Sequence, residues 1–304
     1  MKVILSEYTL TDNKINNNTR IAIISDIHSN IKALKSINKL LLNIKPNYIL
    51  IPGDTLDRVD DPDNTYIGFE FDEIGKNIPT YMSLGNHEFY NSLNIYKRGN
   101  EPASNYLDFF NNLNNCYSFK SSFERTDLDD ISLYSINLPY EYYSSKRENY
   151  KYLYDIISKN KNKASKNKFN ILLIHSPNGV IKNSNIDLSL DIIKDMNLII
   201  CGHNHGGLVP VNMQDKINNH KGLAGPYGTL FPNDSYGIYN NKNTSLLISN
   251  GVTKMSKSTR TGFIGKIIND VCMSEVDLIN LKHGENHVLK LYSRKKYKIW
   301  LYKL

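Results

Sequence analysis

The chain is poor in the residues that would cross-link it or hold it in a membrane. Its 304 residues include only three cysteines, Cys116, Cys201 and Cys272, and none belongs to a CxxC pair. An odd, scattered cysteine count excludes a disulfide framework and favours a reducing compartment. No apolar run approaches the roughly 18 positions that a membrane-spanning helix needs. The N-terminal segment has only a short apolar patch, which is not typical of a secretory signal, so we expect a cytoplasmic protein.

The composition is that of a globular protein with excess positive charge. Hydrophobic residues make up 40% and charged residues 22%, and the formal net charge is +7. A positive field favours anionic partners such as phosphate esters, nucleic acid or anionic lipid. The chain is also rich in Lys, Asn, Ile and Tyr, as an AT-rich genome would encode. We favour this compositional origin for the charge taken alone.

Strand and helix patterns alternate along the first half of the chain. Residues 20–28 and 48–54 are short runs rich in β-branched and other apolar residues, which predict buried strands. Between them, residues 30–46 carry apolar side chains with a period of 3.6 and end at Pro46, which predicts an amphipathic helix. This order predicts a right-handed βαβ unit in a parallel sheet.

The later segments repeat the theme of a strand followed by a polar loop. Strands are predicted before GNHE and within 115–137, 169–177 and 195–207, with a helix over 148–160. Beyond residue 208, short alternating runs predict antiparallel strands with long loops. No linker rich in Gly and Ser interrupts the pattern. We therefore expect one α/β domain over residues 1–285 and a basic, aromatic extension over 286–304.

Asp, His and Asn are concentrated where the predicted strands end. The segments concerned read SDIH, PGDTLDR, LGNHE, IHSP and GHNHGG. Residues i and i+2 of an extended chain point the same way, so Asp26 can act together with His28, and His203 with His205. Ligand sites of open α/β sheets lie at these carboxyl ends. We therefore expect the side chains to meet at one sheet edge.

The residue types indicate a metal centre. Seven candidate ligands are present: Asp26, His28, Asp54, Asn86, His175, His203 and His205. They exceed the four ligands of a single zinc site. They suit two divalent ions roughly 3.5–4 Å apart that share a carboxylate. Mixed imidazole, carboxylate and amide ligation favours Mn, Fe or Zn over Ca or Mg.

As an ordered set, the motifs D-x-H, G-D-x-x-D-R, G-N-H-E, H and G-H-x-H resemble those of the calcineurin-like metallophosphoesterases. The later segments GHNHGG, GPYGTLFPNDSYGIY and LLISNGVT are similar to one bacterial branch of that family. The resemblance extends from about residue 5 to about residue 281. It implies a four-layer α/β/β/α sandwich.

The resemblance also implies a role for each candidate. The first metal would be held by Asp26, His28 and His205, the second by Asn86, His175 and His203, and Asp54 would bridge both. His87 would face the substrate and stabilise or protonate the leaving oxygen. Asp57 would orient a ligand or a loop from behind the metals. Glu88 stands where Asp is also common, and we expect no consequence for the chemistry.

The implied activity is metal-dependent hydrolysis of a phosphate monoester or diester. A hydroxide bridging the two metals would attack phosphorus in line with the leaving oxygen. A lipid-linked or nucleotide-type phosphodiester is the leading substrate class in this branch. The alternatives are a nuclease or cyclic-nucleotide phosphodiesterase and, outside the enzymes, a non-catalytic scaffold of the same fold. A scaffold is disfavoured because every candidate ligand is present, and no obligate nucleic-acid partner is expected.

The C-terminal segment 291–304, LYSRKKYKIWLYKL, lies beyond the resemblance. It mixes Lys and Arg with Tyr297, Trp300 and Tyr302. Such stretches can contact anionic membrane surfaces or nucleic-acid backbones. They can also form an added edge strand or an amphipathic terminal element, which we favour. The pattern leaves peripheral membrane contact and oligomeric state open.

Overall fold

The computed structural model describes residues 2–58, 61–89, 104–143, 149–255, 257, 262–285 and 287–299. One large sheet has the strand order β15-β1-β14-β2-β3-β4-β5. Its strands are β1 (Lys2–Thr11), β2 (Thr19–Ile23), β3 (Tyr48–Ile51), β4 (Thr80–Met82), β5 (Cys116–Ser118), β14 (Ser274–Lys282) and β15 (Lys290–Lys298). We call it the first sheet.

The second sheet has the order β12-β13-β11-β8-β7-β6. Its strands are β6 (Phe123–Leu128), β7 (Ile131–Ile136), β8 (Phe169–Ile174), β11 (Leu198–Cys201), β12 (Gly237–Asn241) and β13 (Thr244–Ile248). A small hairpin joins β9 (Ile181–Lys182) and β10 (Asn185–Ile186). The helices are α1 (Ile31–Ile44), α2 (Asn64–Gly75), α3 (Ser104–Asn111), α4 (Tyr140–Tyr143), α5 (Tyr150–Lys159), α6 (Val211–Gln214) and α7 (Phe263–Val271).

Three apolar clusters arrange these elements in four layers. The middle cluster contains side chains from both sheets, such as Ile23 and Leu50 of the first and Leu173 and Ile200 of the second, so the sheets pack against each other. A second cluster joins the outer face of the first sheet to α1 and α2. A third joins the outer face of the second sheet to α5. This confirms the predicted α/β/β/α sandwich.

The strand–helix–strand order of the predicted βαβ unit is confirmed, whereas the sheet that contains it is mixed and not parallel throughout. β2 and β3 are parallel neighbours, and α1 connects them. The helix begins where the Asn30 side chain accepts the backbone N–H of Ala33, and it ends at Lys45, which adopts a left-handed conformation before Pro46. Its apolar stripe is buried, because Leu34, Ile37 and the residues that share their face pack on the first sheet.

The expectation of antiparallel strands beyond residue 208 is only partly right. β12 and β13 form an antiparallel hairpin, but β13 is parallel to β11 on its other side. β14 inserts between β1 and β2, parallel to the former and antiparallel to the latter. α7 interrupts the region as well. These pairings join strands far apart in the chain, so local alternation does not reveal them.

The described part of the C-terminal segment forms an edge strand. β15 pairs antiparallel with β1 and closes one side of the first sheet. Trp300 and Tyr302 lie outside the described residues. The boundary at residue 285 stays a prediction. Among the helices of the described residues, none is both long and apolar enough to cross a membrane.

Candidate metal centre

The candidate ligands come from both sheets. Asp26, His28, Asp54 and Asn86 lie in the loops after β2, β3 and β4, which run parallel and end at one edge of the first sheet. His175, His203 and His205 lie in the loops after β8 and β11 of the second. The site is therefore at the junction of two sheet edges, whereas the motifs alone indicated one. That junction brings the carboxylates of the first sheet opposite the three histidines of the second.

Backbone strain is concentrated at these positions. Five of the seven candidates, none of them glycine, have a positive φ between 49° and 72°: Asp26, His28, Asp54, His203 and His205. A side chain in this left-handed region is uncommon and costs free energy. Such conformations persist where the surrounding structure enforces them, and they cluster at functional sites. The surrounding loop contacts therefore hold these five side chains in conformations that they would otherwise rarely adopt.

The first group brings together Asp26, His28 and His205. One donor atom of each lies within 4.8 Å of the others. The His28 and His205 rings are 5.0 Å apart between centroids. His205 Nδ1 lies 2.8 Å from the carbonyl oxygen of Thr253, a contact that would leave Nε2 to serve a cation. Burial lowers the pKa of both histidines, which favours the neutral form that binds metal ions.

The second group brings together Asp54, His175 and His203, again with donor atoms within 4.8 Å. The two histidine rings lie 5.0 Å apart at an interplanar angle of 69°. His175 Nδ1 faces the carbonyl oxygen of Pro52 at 3.0 Å, which directs Nε2 toward Asp54. Tyr143 is buried against this pair, with its ring centroid 5.4 Å from that of His203.

Asp54 faces histidines of both groups. Its Oδ2 lies 3.7 Å from His28 Nε2 and 3.1 Å from His175 Nε2. Burial would raise the pKa of Asp54, but His175, His87 and His28 together hold it well below its ordinary value. Burial lowers the pKa of His175, yet the Asp54 carboxylate outweighs this and raises it to about 9. A buried anion thus lies between the two groups.

Asn86 is buried in the chain segment that packs on Asp54. On one side of it, Gly85 approaches so closely that a Cβ there would lie 2.2 Å from Asp54 Oδ1. On the other side, the backbone N–H of His87 donates to Asp54 Oδ1 over 2.9 Å. Asn86 itself is 5% exposed. The contacts of its neighbours hold this residue beside Asp54.

His87 is partly exposed, unlike most of the candidates. Its ring meets that of His28 edge-on, with centroids 4.3 Å apart. Its Nδ1 lies 2.6 Å from the carbonyl oxygen of Asp57. Asp57 is buried, donates its own N–H to Ser29 Oγ and accepts the backbone N–H of Lys257, each over 2.8 Å. The backbone carbonyl of Asp57 therefore orients the His87 ring through Nδ1.

Glu88 has a structural role that the motif did not indicate. Its carboxylate is buried and accepts four backbone N–H groups, those of Asp54, Thr55, Leu56 and Gly85, over 2.7 to 3.1 Å. It thus joins the loop after β3 to the loop after β4. That Glu in place of Asp here has no consequence for the chemistry stays a prediction, but the Glu88 side chain fixes the backbone of a candidate ligand.

The loop after β13 closes the junction and was also missed. Val252 and Thr253 donate backbone N–H groups to the carbonyls of Ser25 and Asp26 over 2.8 and 3.0 Å. The Thr253 hydroxyl donates to the carbonyl of Ile27 over 2.9 Å. The segment SNGVT contains no ionisable side chain, so ligand chemistry could not reveal it. Its only sequence signal was the family-like stretch LLISNGVT.

The donor set suits a pair of divalent cations. Each group combines imidazole nitrogen with carboxylate oxygen, which is the mixture that transition-metal sites use. His175 and His205 engage backbone carbonyls through Nδ1, the usual outer contact of metal-bound histidine. Asp54 lies between the groups. The residues present therefore fit two metal ions.

Comparison with known proteins gives the family. The model of the calcineurin-like phosphoesterase family matches residues 19–207, more than half of the chain. No curated protein sequence matches significantly.

Three solved structures resemble the fold at low TM-scores. The protein TT1561 of Thermus thermophilus is 12% identical, with a TM-score of 0.45, covering 78% of this chain and 91% of that one. A dimetal phosphatase from Danio rerio is 10% identical, with a TM-score of 0.44, covering 78% and 88%. The phosphoesterase Yfce from E. coli is 11% identical, with a TM-score of 0.36, covering 79% and 83%. Because these likenesses are weak, the family assignment depends on the sequence match. The chain belongs to the calcineurin-like phosphoesterase family, and its enzyme class is metal-dependent phosphoester hydrolysis.

Proposed function

We propose that the chain hydrolyses a phosphoester at a two-metal centre in which Asp54 is the shared ligand. The proposed ligands are Asp26, His28 and His205 for one ion and Asn86, His175 and His203 for the other. The observation that carries this assignment is the position of Asp54 Oδ2, within 3.7 Å of a histidine nitrogen from each group. When bound, the two cations would neutralise phosphate charge and lower the pKa of the attacking water to about 7.

The protein's own proton donor is His87. Because its Nδ1 engages the Asp57 carbonyl, Nε2 is the nitrogen that would serve the leaving oxygen. In the imidazolium form, Nε2 donates a hydrogen bond or a proton to that oxygen, an effect typically worth about 10²–10⁴-fold in rate. Asp57 acts through His87 and not on the substrate, so it is a positioning residue.

The surroundings of the site favour a phosphodiester with an apolar portion. The loop that follows GHNHGG in the chain folds back on it, because Leu223 and Ala224 donate backbone N–H groups to the carbonyl of Gly207 over 2.7 and 3.1 Å. This loop exposes Leu223 by 50%, Leu230 by 72% and Phe231 by 58%. Apolar side chains exposed on a loop that packs against GHNHGG suit a substrate with a lipid-like part.

Metal content and turnover of Asp54 variants test the centre. Wild-type protein loaded with Mn²⁺ should hold roughly two ions per chain and hydrolyse bis-p-nitrophenyl phosphate. Asp54→Asn should weaken both sites, whereas Asp26→Asn should weaken one. If Asp54→Asn kept two ions at wild-type affinity, the shared role would be refuted.

The substrate class needs a separate assay. A panel of phosphodiesters with and without acyl chains should show higher kcat/KM for the acylated members. Leu230→Ser with Phe231→Ser should remove that preference and leave bis-p-nitrophenyl phosphate hydrolysis unchanged. A nuclease would instead bind single-stranded DNA or RNA with a steep dependence on salt, because phosphate contacts release counterions. That result would overturn the lipid-like substrate assignment but would not contradict the proposed metal centre.

A further inference from the structure

α7 carries an exposed apolar stripe. Phe263, Ile267 and Val271 are spaced four residues apart, so they lie on one face of the helix. Their exposed fractions are 80%, 48% and 49%. Single exposed apolar side chains are ordinary, but an aligned series on one helix marks a contact surface. We therefore expect the stripe to be covered by a binding partner.

A basic rim adjoins the stripe. Val271, at the end of α7, lines a cleft of about 630 Å³ together with Met213, Arg294, Lys295 and Lys296. Asp215 also lines the cleft and pairs with Arg294 at 3.1 Å, and Lys295 lies 3.6 Å from Glu7. Lys295 and Lys296 of β15 are exposed, as are Lys290 and Lys298 of the same strand. Apolar and cationic groups thus share one cleft. This combination is typical of surfaces that bind the boundary between lipid headgroups and acyl chains.

Protection of the sheet edge and self-association each explain only one of the two features, the apolar stripe of α7 or the lysines of β15. Lysines on an edge strand prevent edge-to-edge association, which would explain β15 but not the stripe on α7. A second copy of the chain could cover the stripe, but an apolar contact of that kind would leave the exposed lysines of β15 unexplained. An anionic lipid surface complements both features at once.

We propose that the stripe of α7 and the basic rim of β15 form a docking surface for anionic lipid bilayers. Phe263 and Ile267 enter the headgroup boundary, and Lys295 and Lys296 pair with lipid phosphates. The surface connects to the metal centre, because Cys272, directly after α7, contacts the carbonyl of Leu208 over 3.2 Å, three residues beyond His205. The proposal does not depend on the catalytic assignment, since docking requires no turnover.

Sedimentation with vesicles tests the proposal. Full-length protein should bind vesicles of phosphatidylcholine mixed with phosphatidylglycerol, and binding should weaken as salt is added. Lys295→Gln and Lys296→Gln should each lower affinity about fivefold at low ionic strength. Phe263→Ser with Ile267→Ser should lower it about tenfold or more.

Matched controls keep the test specific. Phe69→Ser changes another well-exposed aromatic residue, on α2, and Lys159→Gln with Lys161→Gln removes positive charge from another face. Neither should alter binding, and circular dichroism should show that every variant is folded. Equal binding to vesicles of phosphatidylcholine alone, or binding unaffected by the α7 and β15 variants, would overturn the proposal. Self-association that is lost in the α7 variant, without vesicle binding, would assign the surface to a second copy instead.

Discussion

Glu88 Oε2 lies 3.1 Å from the backbone nitrogen of Asp54 and accepts its N–H. The same carboxylate bonds three further backbone N–H groups, so it fixes the turn on which Asp54 depends. Glu88 is fully buried. The position of Asp54 therefore depends on a side chain from the loop after β4 as well as on its own loop.

Glu88→Gln is expected to lower stability and metal affinity together. The amide would turn an NH₂ group toward backbone donors, and leaving such buried donors unsatisfied costs about 1–3 kcal/mol. Urea unfolding and manganese binding would measure the two effects. The exposed Glu73→Gln serves as the control and should change the free energy of unfolding by less than about 0.5 kcal/mol. Wild-type metal affinity in Glu88→Gln would contradict the positioning role.

His87→Ala is expected to keep both metals and lose most turnover. The side chain is assigned to the leaving oxygen and not to a cation, so kcat should fall by about 10²–10⁴ while metal content stays at the wild-type level. Elemental analysis would give the metal content, and hydrolysis of bis-p-nitrophenyl phosphate by the same sample would give kcat. His283→Ala, an exposed histidine outside the site, is the matched control. If metal content fell in parallel with kcat, the result would contradict this role and indicate that His87 is a metal ligand.

Gly85→Ala is expected to disable the centre through sterics alone. The added methyl group would lie 2.2 Å from Asp54 Oδ1, and the carboxylate would have to move. Manganese binding and activity should fall together. Gly228→Ala is a useful comparison because a Cβ there meets nothing within 4 Å, so that variant carries only the backbone cost of its φ of +70°, about 1 kcal/mol. Full activity in Gly85→Ala would show that Asp54 tolerates displacement.

Asp277 should make the protein less stable as pH rises. Burial, followed by the nearby Glu275, raises the pKa of Asp277 to about 7 from its ordinary value of 3.8. Between these values the unfolded chain has released the proton and the folded chain retains it, so stability falls with increasing pH across that window. Urea midpoints measured with a chelator should show a flatter profile for Asp277→Asn than for wild type. Asp155→Asn, which alters an exposed carboxylate, should keep the wild-type slope.

Ligand chemistry made the centre predictable, whereas the contacts of the residues that act on backbone groups could not be inferred from residue type. Asp26, His28 and His205 can be recognised in the sequence because few residue types bind metals and strand ends are where they collect. Glu88 and Thr253 act on backbone groups contributed by distant loops. No residue pattern near either one specifies those partners.

The same distinction applies to the fold. The period of 3.6 in residues 30–46 reports a helix that buries one face locally. The position of β14 between β1 and β2 joins strands more than 250 residues apart. Both faces of β14 are buried, so the burial pattern of this strand lacks the apolar–polar alternation of a half-exposed strand. Its sequence therefore does not indicate which strands it pairs with. Topology of this kind is decided by the packing of the whole chain.

The left-handed backbone of Asp26, Asp54 and His203 affects how the site can be dissected. Alanine at such a position removes a donor and also imposes a conformational penalty, so a dead variant would have two causes. Asparagine accepts that geometry readily and nearly matches aspartate in shape. For the two aspartates, exchange to asparagine is therefore the variant that removes the negative charge without the added backbone penalty.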